Sequence, residues 1–240
     1  MEVVACSDGA DLARRAAELF ADRLRAKPDL AMAVPAGRTP RALYARLAAI
    51  YVADPSPLSR MRVFAVDELC PPAPADGYFW RQIRAEFLDW ARIPVEQRHP
   101  FRVDAPDLAA MCGRYEAAIS AVGGLDLVML GLGPNGHLAS NEPGTAFDSR
   151  TRPVELLPGT VAYILTDEVI QGAVSSRAVT LGLLTILDAQ EVVVLVDGAH
   201  KRAALRATLE GPVTREVPAS VLRRHRHCTV LAGRAALEGP

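Results

Sequence analysis

Apolar residues along this chain follow two alternating patterns: short continuous runs, and longer segments in which they recur at helical spacing. Short runs that stop at glycine or acidic residues are typical of strands buried on both faces, whereas helical spacing predicts amphipathic helices. The runs predict strands at 3–6, 30–34, 61–66, 125–130, 191–196 and 228–231. Helices are predicted after Asp8, near Thr39, at Tyr78, after Asp107 and near Lys201. This alternation predicts an α/β fold, a three-layer, Rossmann-like arrangement in which an open, parallel-rich sheet carries helices on both faces.

The pattern weakens between residues 144 and 187. Residues 144–158 resemble a loop, residues 161–165 give a mixed signal, and residues 178–187 are apolar and β-branched. A long segment without strong periodicity is typical of a loop that covers a binding site. We therefore expect a single domain over residues 1–240 with a lid around residues 144–175.

The charge balance argues against a polyanionic partner. The chain has 240 residues, of which 27 are Lys or Arg and 28 are Asp or Glu, for a formal net charge of -1. A nearly neutral protein has no general attraction to nucleic acid or to an acidic membrane surface, so we expect neither as a partner.

The cysteines and the first residues bear on the cellular compartment. Cys6, Cys70, Cys112 and Cys228 are far apart and form no Cys-x-x-Cys pair, which argues against a zinc site and a disulfide framework. Met1 is followed by an acidic residue and a short β-like run, not by a basic and then apolar signal segment. We expect a soluble cytoplasmic protein that is not exported.

The strand predicted at 125–130 runs into a loop rich in glycine and polar side chains. Within eight residues this loop presents Asn135, His137, Asn141 and Glu142. In open parallel sheets, ligands bind in the crevice beyond the carboxyl ends of the strands, so these side chains are candidates for a site. The alternative is a βα turn whose histidine and glutamate are merely solvated.

A second loop has the features of a phosphate site. A predicted strand ends in Pro-Ala-Gly-Arg-Thr-Pro at 35–40, and a helix follows. Free N–H groups at the start of a helix attract phosphate, with Gly37 giving access, Thr39 a hydroxyl and Arg38 a charge-assisted contact. Lys201, in the first turn of a later helix, could reach the same phosphate. The alternatives are a turn without a ligand and a solvated lysine.

Two adjacent carboxylates, Asp67 and Glu68, follow the strand predicted at 61–66. Neighbouring residues of an extended chain point in opposite directions, so at most one of them faces the crevice. We assign that place to Asp67. The alternative is that either carboxylate caps the next turn.

Taken together, the motifs are similar to those of the glucosamine-6-phosphate deaminase and 6-phosphogluconolactonase family, in order and in spacing, over nearly the whole chain. The matching pieces are Pro-Ala-Gly-Arg-Thr-Pro (35–40), Val-Asp-Glu-Leu (66–69), Gly-Leu-Gly-Pro-Asn-Gly-His-Leu-Ala-Ser-Asn-Glu-Pro (131–143), Ser-Arg-Thr-Arg (149–152), Thr-Ile-Leu-Asp-Ala-Gln-Glu-Val (185–192) and Gly-Ala-His-Lys (198–201). The Asn-Glu-Pro ending of the third piece resembles the deaminase branch.

The resemblance implies an isomerisation coupled to loss of ammonia, without metal or other cofactor, that converts glucosamine 6-phosphate to fructose 6-phosphate. By position, Asp67 would move a proton between C1 and C2, His137 would assist ring opening, and Glu142 would orient that histidine. These residue types suit the chemistry, because a desolvated carboxylate gains basicity and an imidazole exchanges protons near neutral pH.

Two departures from the family pattern bear on the substrate. Asn135 stands where the family commonly has aspartate, which lowers the charge beside His137 by one unit. Val161 stands where the family places a phosphate-contacting arginine in the lid, while Arg38 replaces a glycine of the phosphate turn. Either Arg38 supplies the guanidinium from the opposite wall, which is the alternative we favour, or the substrate differs.

Three functions follow from these observations: an amino-sugar phosphate deaminase, a lactone hydrolase in which His137 activates water, and a sugar-phosphate sensor without catalysis. The joint presence of Asp67, His137 and Glu142 favours an enzyme, because a pure binder needs no such set. Arg150 and Arg152 lie where family members gather an effector. The sequence leaves the number of subunits open, with a homo-oligomer as one option.

Overall fold

The computed structural model of the chain describes residues 1–168 and 170–238. The candidate lid is therefore described except for residue 169. The strands are β1 (Glu2–Cys6), β2 (Ala31–Val34), β3 (Arg62–Ala65), β4 (Asp67–Leu69), β5 (Arg98–His99), β6 (Leu127–Gly131), β7 (Arg152–Glu155), β8 (Arg177–Thr180), β9 (Glu191–Val196) and β10 (Cys228–Gly233). The α-helices are α1 (Gly9–Ala26), α2 (Arg38–Tyr51), α3 (Tyr78–Ile83), α4 (Leu108–Ala121), α5 (Pro158–Ile164), α6 (Leu183–Leu187), α7 (Arg202–Glu210) and α8 (Arg234–Leu237).

Seven strands form one parallel sheet in the order β1, β10, β9, β6, β2, β3, β5. Successive side chains of a strand point to opposite faces of the sheet. Every residue of β2 is buried, as are most of those in β6 and β9, so both faces are covered in the centre of the sheet. The predicted fold class, a parallel-rich open sheet between layers of helices, is confirmed.

The helix starts are set by local hydrogen bonds that the sequence predicts. The carboxylate of Asp8 accepts the N–H of Asp11 at 2.8 Å at the start of α1, and Asp107 accepts the N–H of Ala110 at 2.9 Å at the start of α4. Each bond satisfies an N–H that the first helical turn leaves free. The helix predicted from Tyr78 to Trp90 is shorter, because the α-helical turns of α3 give way to a π-helical segment, Arg84–Leu88.

A second, smaller sheet was not predicted. Its three antiparallel strands lie in the order β4, β8, β7, and a small cluster formed by Leu69, Tyr78, Leu156 and their neighbours packs beside it. The apolar stretch at 178–187 divides here into the end of β8 and helix α6. The main chain leaves the large sheet after β3 and enters the small one at Asp67, so the junction of the two sheets lies beside the site.

No helix of the described residues combines the length and the apolar character that crossing a membrane requires.

Candidate active site

An open cavity of about 970 Å³ lies at the carboxyl ends of the parallel strands. Its walls include the segments that follow β2, β3 and β6, helix α5, and Lys201 from the segment after β9. This is the place where open α/β sheets bind ligands. Five of the residues predicted for the site carry ionisable or hydroxyl groups and line the cavity: Arg38, Thr39, Asp67, His137 and Lys201.

Asp67 is the first residue of β4 and is partly buried at the cavity wall. Its Oδ2 accepts a hydrogen bond from the hydroxyl of Ser140 at 2.7 Å. Burial raises the pKa of Asp67 to about 6, although the Ser140 hydrogen bond and the nearby His137 act in the opposite direction. A carboxylate with this pKa is largely ionised at neutral pH and is a stronger base than an exposed aspartate.

Glu68 points away from the cavity, as the alternation along an extended chain predicts. Its buried carboxylate accepts the backbone N–H groups of Leu69, Tyr78, Phe79 and Trp80 at 2.7 to 3.1 Å. Burial raises the pKa of this carboxyl group to about 7, against the effect of the N–H donors. Glu68 therefore fixes the start of α3, the capping role that the sequence leaves open for either carboxylate.

His137, Asn135 and Glu142 form a group on the loop after β6. His137 Nδ1 lies 3.7 Å from Glu142 Oε2, an ion-pair distance that is longer than a hydrogen bond. Asn135 Nδ2 donates to the same oxygen at 2.8 Å, and Asn135 Oδ1 accepts the backbone N–H of His137 at 3.2 Å. Burial alone would raise the pKa of Glu142, but interactions with His137, Thr160 and Asn135 outweigh it and lower this pKa to about 2. Glu142 is thus an anion beside the imidazole.

Glu142 also links this loop to the candidate lid. Its Oε1 accepts the N–H of Leu157 at 3.2 Å, at the residue that precedes α5. One carboxylate therefore lies beside the imidazole and also binds the start of the helix that lines the cavity.

The predicted phosphate turn has the expected backbone. Gly37 has φ 106°, a conformation that favours glycine, and α2 begins at Arg38. The Gly37 N–H donates to Gln82 Oε1 at 3.0 Å, and Gln82 Nε2 donates back to the Gly37 carbonyl at 2.9 Å. The N–H groups at the start of a helix lack intrahelical partners, so those of Arg38 and Thr39 are suited to an anion.

Two cations converge on one aromatic ring of α5. The guanidinium carbon of Arg38 lies 4.9 Å and Lys201 Nζ lies 4.6 Å from the centre of the Tyr163 ring. Burial and the charge of Arg38 lower the pKa of Lys201 to about 8. Two cations that face one small space favour binding of an anion there.

Val161, which stands where the family has a lid arginine, packs against the small hydrophobic cluster and does not line the cavity. The Arg38 guanidinium donates to the Thr166 hydroxyl and to the carbonyl of Tyr163, and lies 3.7 Å from a carboxylate oxygen of Asp167. Arg38 therefore contacts the candidate lid from the turn at the start of α2.

Three residues of the site were not predicted: Gln82, Ser140 and Tyr163. Gln82 follows Arg81 in a predicted helix that also contains Arg84 and Glu86, so no pattern distinguished it from the other polar positions. Ser140 lies within the polar loop 131–143, where its hydroxyl was as good a candidate for the site as the neighbouring amide side chains. Tyr163 lies in the segment of mixed signal and had no distinguishing pattern.

The fold and the site together define an α/β protein whose carboxylate, imidazole and cation-lined turn share one cavity, the arrangement of an acid–base enzyme for a small phosphorylated molecule. The profile of the family described as glucosamine-6-phosphate isomerases/6-phosphogluconolactonase matches residues 7–231, and the chain belongs to that family.

Curated relatives and solved structures agree with this assignment. The chain is 39% identical over 239 residues to a glucosamine-6-phosphate deaminase of Pseudarthrobacter chlorophenolicus, covering 98% of this chain and 91% of the relative. It is 32% identical to glucosamine-6-phosphate deaminase 2 of Bacillus subtilis, covering 97% and 94% of the two chains. The structure of a monomeric glucosamine-6-phosphate deaminase superposes with a TM-score of 0.92 at 30% identity, covering 98% of each chain. The 6-phosphogluconolactonase of Trypanosoma brucei, at 23% identity and TM-score 0.77 over 98% and 97% of the chains, shares the fold.

Proposed function

We propose that this chain is a glucosamine-6-phosphate deaminase, which converts glucosamine 6-phosphate and water to fructose 6-phosphate and ammonia. The observation that carries the proposal is that Asp67, His137 and the phosphate-type turn face one cavity. The curated relatives at 32% to 39% identity carry this name, which supports the same reaction here.

In the proposed reaction, His137 moves the proton that opens the sugar ring, and Glu142 with Asn135 holds the imidazole in place. Asp67 then takes the proton from C2 of the open chain and returns it to C1. The resulting imine at C2 adds one water and loses ammonia, which leaves the ketose. A desolvated carboxylate and a carboxylate-oriented imidazole are suited to these two proton transfers.

The phosphate is proposed to bind at the turn that begins α2. Gly37, Arg38 and Thr39 supply the helix start, a guanidinium and a hydroxyl, and Lys201 supplies a buried cation from the opposite side. Arg38 is the group that replaces a guanidinium donated from the lid, because its side chain already reaches α5.

The candidate lid is proposed to cover the bound sugar. Thr160, Tyr163, Ile164 and Asp167 of this segment line the cavity. A covered cavity excludes water and strengthens the interactions of Asp67 and the cations with the substrate.

The protein is proposed to work in the cytoplasm as a single chain, in place of the homo-oligomer that the sequence leaves open. Every group assigned to the reaction comes from this one chain, and the deaminase with TM-score 0.92 is described as monomeric. Analytical ultracentrifugation of the full chain tests this assembly, and a stable dimer contradicts it.

The reaction is tested by incubating the purified chain separately with glucosamine 6-phosphate and with 6-phosphogluconolactone. We expect equal amounts of ammonia and fructose 6-phosphate from the amino sugar, and lactone opening no faster than in buffer. Lactone opening without ammonia release would identify a hydrolase. Binding of the amino sugar without reaction would identify a sensor, and either result overturns the proposal.

A further inference from the structure

Ser140 contacts the carboxylate of Asp67. It lies three positions after His137, is 4% exposed, and donates its hydroxyl to Asp67 Oδ2 at 2.7 Å. Within residues 1–168 and 170–238, the Asp67 carboxylate accepts no other side-chain hydrogen bond. Among these residues, Ser140 is therefore the side chain that orients this carboxylate.

The position of Ser140 is fixed from the small sheet. The Ser140 N–H donates to Thr180 Oγ1 at 3.1 Å, and the Thr180 hydroxyl donates to the carbonyl of Leu181 at 3.1 Å. Thr180 is fully buried and is the antiparallel partner of Asp67 between β8 and β4. Asp67, Thr180 and Ser140 thus form a closed triangle in which each residue is held by the next.

The backbone conformation on both sides of Ser140 is also restrained. Ala139, the residue before Ser140, has φ 51°, which is uncommon for a residue with a side chain. The buried amide of Asn141 donates to the carbonyls of Leu138 and Leu181 at 3.0 and 2.8 Å. A serine between two such restraints keeps its hydroxyl in one direction.

The charges that face Asp67 come from several elements. His137 approaches from the loop after β6 and favours the ionised form of Asp67, while the adjacent Glu68 carboxylate is turned toward the start of α3. Arg38 and Lys201 line the same cavity. Burial outweighs the Ser140 hydrogen bond and the nearby His137 and raises the pKa of Asp67, so a hydrogen bond to the ionised form carries weight here.

We propose that Ser140 is a positioning residue for the proposed base: its hydroxyl holds Asp67 through Oδ2, stabilises the ionised carboxylate and leaves Oδ1 to take the substrate proton. This inference rests on the proposed function, because it assigns to Asp67 the proton transfer between C2 and C1. Ser140 itself exchanges no proton with the substrate.

The experiment compares Ser140→Ala, which removes the hydroxyl, with Ser140→Thr, which retains it. Ser59→Ala, which removes an exposed hydroxyl distant in sequence from Ser140, is the matched control. The Asp67 carboxyl carbon is followed by NMR in the full chain through a pH titration, with Asp67→Asn used to assign the signal. In parallel, kcat/KM for glucosamine 6-phosphate is measured against pH.

We expect Ser140→Ala to raise the pKa of Asp67 by about one unit, the usual effect of a hydrogen bond to a charged group. The acid limb of kcat/KM should move upward by the same amount, with little change in KM. Ser140→Thr should restore both, and the control should match the parent protein. Thermal unfolding of each variant establishes that it is folded.

An unchanged Asp67 pKa in folded Ser140→Ala overturns the inference, and so does a raised pKa without a matching shift of the acid limb. If Ser140→Ala does not fold, Ser140→Thr decides alone, since loss of the parent pH profile in that hydroxyl-bearing variant also contradicts the inference. Failure of the proposed function gives a different result: the parent protein releases no ammonia at any pH. The NMR titration still decides the link between the two residues in that case.

Discussion

Gln82 is hydrogen-bonded to both backbone polar groups of Gly37, as acceptor from the N–H at 3.0 Å and as donor to the carbonyl at 2.9 Å. The side chain is 4% exposed and also donates to Glu86 Oε2 at 3.0 Å. A buried side-chain amide that accepts from the N–H and donates to the carbonyl of the same residue fixes the backbone conformation of that residue. The shape of the proposed phosphate turn is therefore maintained from α3.

Replacement of Gln82 by leucine should weaken substrate binding more than it slows the chemistry. The partly buried N–H and carbonyl of Gly37 would each lose a partner, at a cost of about 1 to 3 kcal/mol, which corresponds to roughly a tenfold to hundredfold increase in KM. Steady-state kinetics with glucosamine 6-phosphate measures the change in KM and kcat. Gln190→Leu, at an exposed position, is the control. An unchanged KM in Gln82→Leu contradicts this role for the turn.

Arg38→Met should raise KM by about tenfold or more, because a guanidinium contact to phosphate is charge-assisted. The variant keeps a long side chain while removing the charge that faces α5. Arg46→Met, on the same helix and exposed, is the matched control. If both variants bind inorganic phosphate and glucosamine 6-phosphate equally well in calorimetry, Arg38 is not a phosphate ligand.

Gly133 lies directly against the imidazole of His137. A Cβ added at Gly133 would be 2.3 Å from the ring atoms Cε1 and Nε2. Gly133→Ala should therefore displace the ring and lower kcat by about a hundredfold, the effect expected of a misplacement near 1 Å. Gly113→Ala, where nothing lies near the added atom, should leave kcat unchanged. Activity of Gly133→Ala equal to that of the control would argue against a part for His137 in catalysis.

Gly77→Ala tests the anchoring of α3 by Glu68. Gly77 has φ 71°, and an added Cβ would lie 2.0 Å from Glu68 Oε2. At Gly123, φ is also positive but the added atom meets nothing, so Gly123→Ala should cost only about 1 to 2 kcal/mol of backbone strain. We expect Gly77→Ala to lose about 1 to 3 kcal/mol more than this control in urea unfolding. Equal losses would mean that the Glu68 contact has no energetic role.

The sequence predicts the elements whose signal is local. Strand β9 has the predicted bounds, because a continuous apolar run between polar ends is unambiguous. The caps formed by Asp8 and Asp107 depend only on neighbouring residues. Strands β4, β5 and β7 contain two to four residues and are defined by partners far along the chain, so no periodicity could reveal them.

The same distinction applies to the site. Glycine and polar residues in the strand-end loops indicate Asp67, His137 and the turn at Arg38 as site residues. All three line one cavity. Ser140 and Gln82 contribute through contacts to residues 73 and 45 positions away, which sequence spacing does not encode.

Comparing substrate binding with turnover in Asp67→Asn shows whether Asp67 moves the substrate proton. Calorimetry with glucosamine 6-phosphate measures binding, ammonia release measures turnover, and Asp104→Asn, an exposed carboxylate variant, is the control. We expect Asp67→Asn to bind about as tightly as the parent protein while turnover falls by about a hundredfold to ten thousandfold, the usual contribution of a positioned acid or base. Ammonia release by Asp67→Asn at the rate of the control would contradict this role of Asp67.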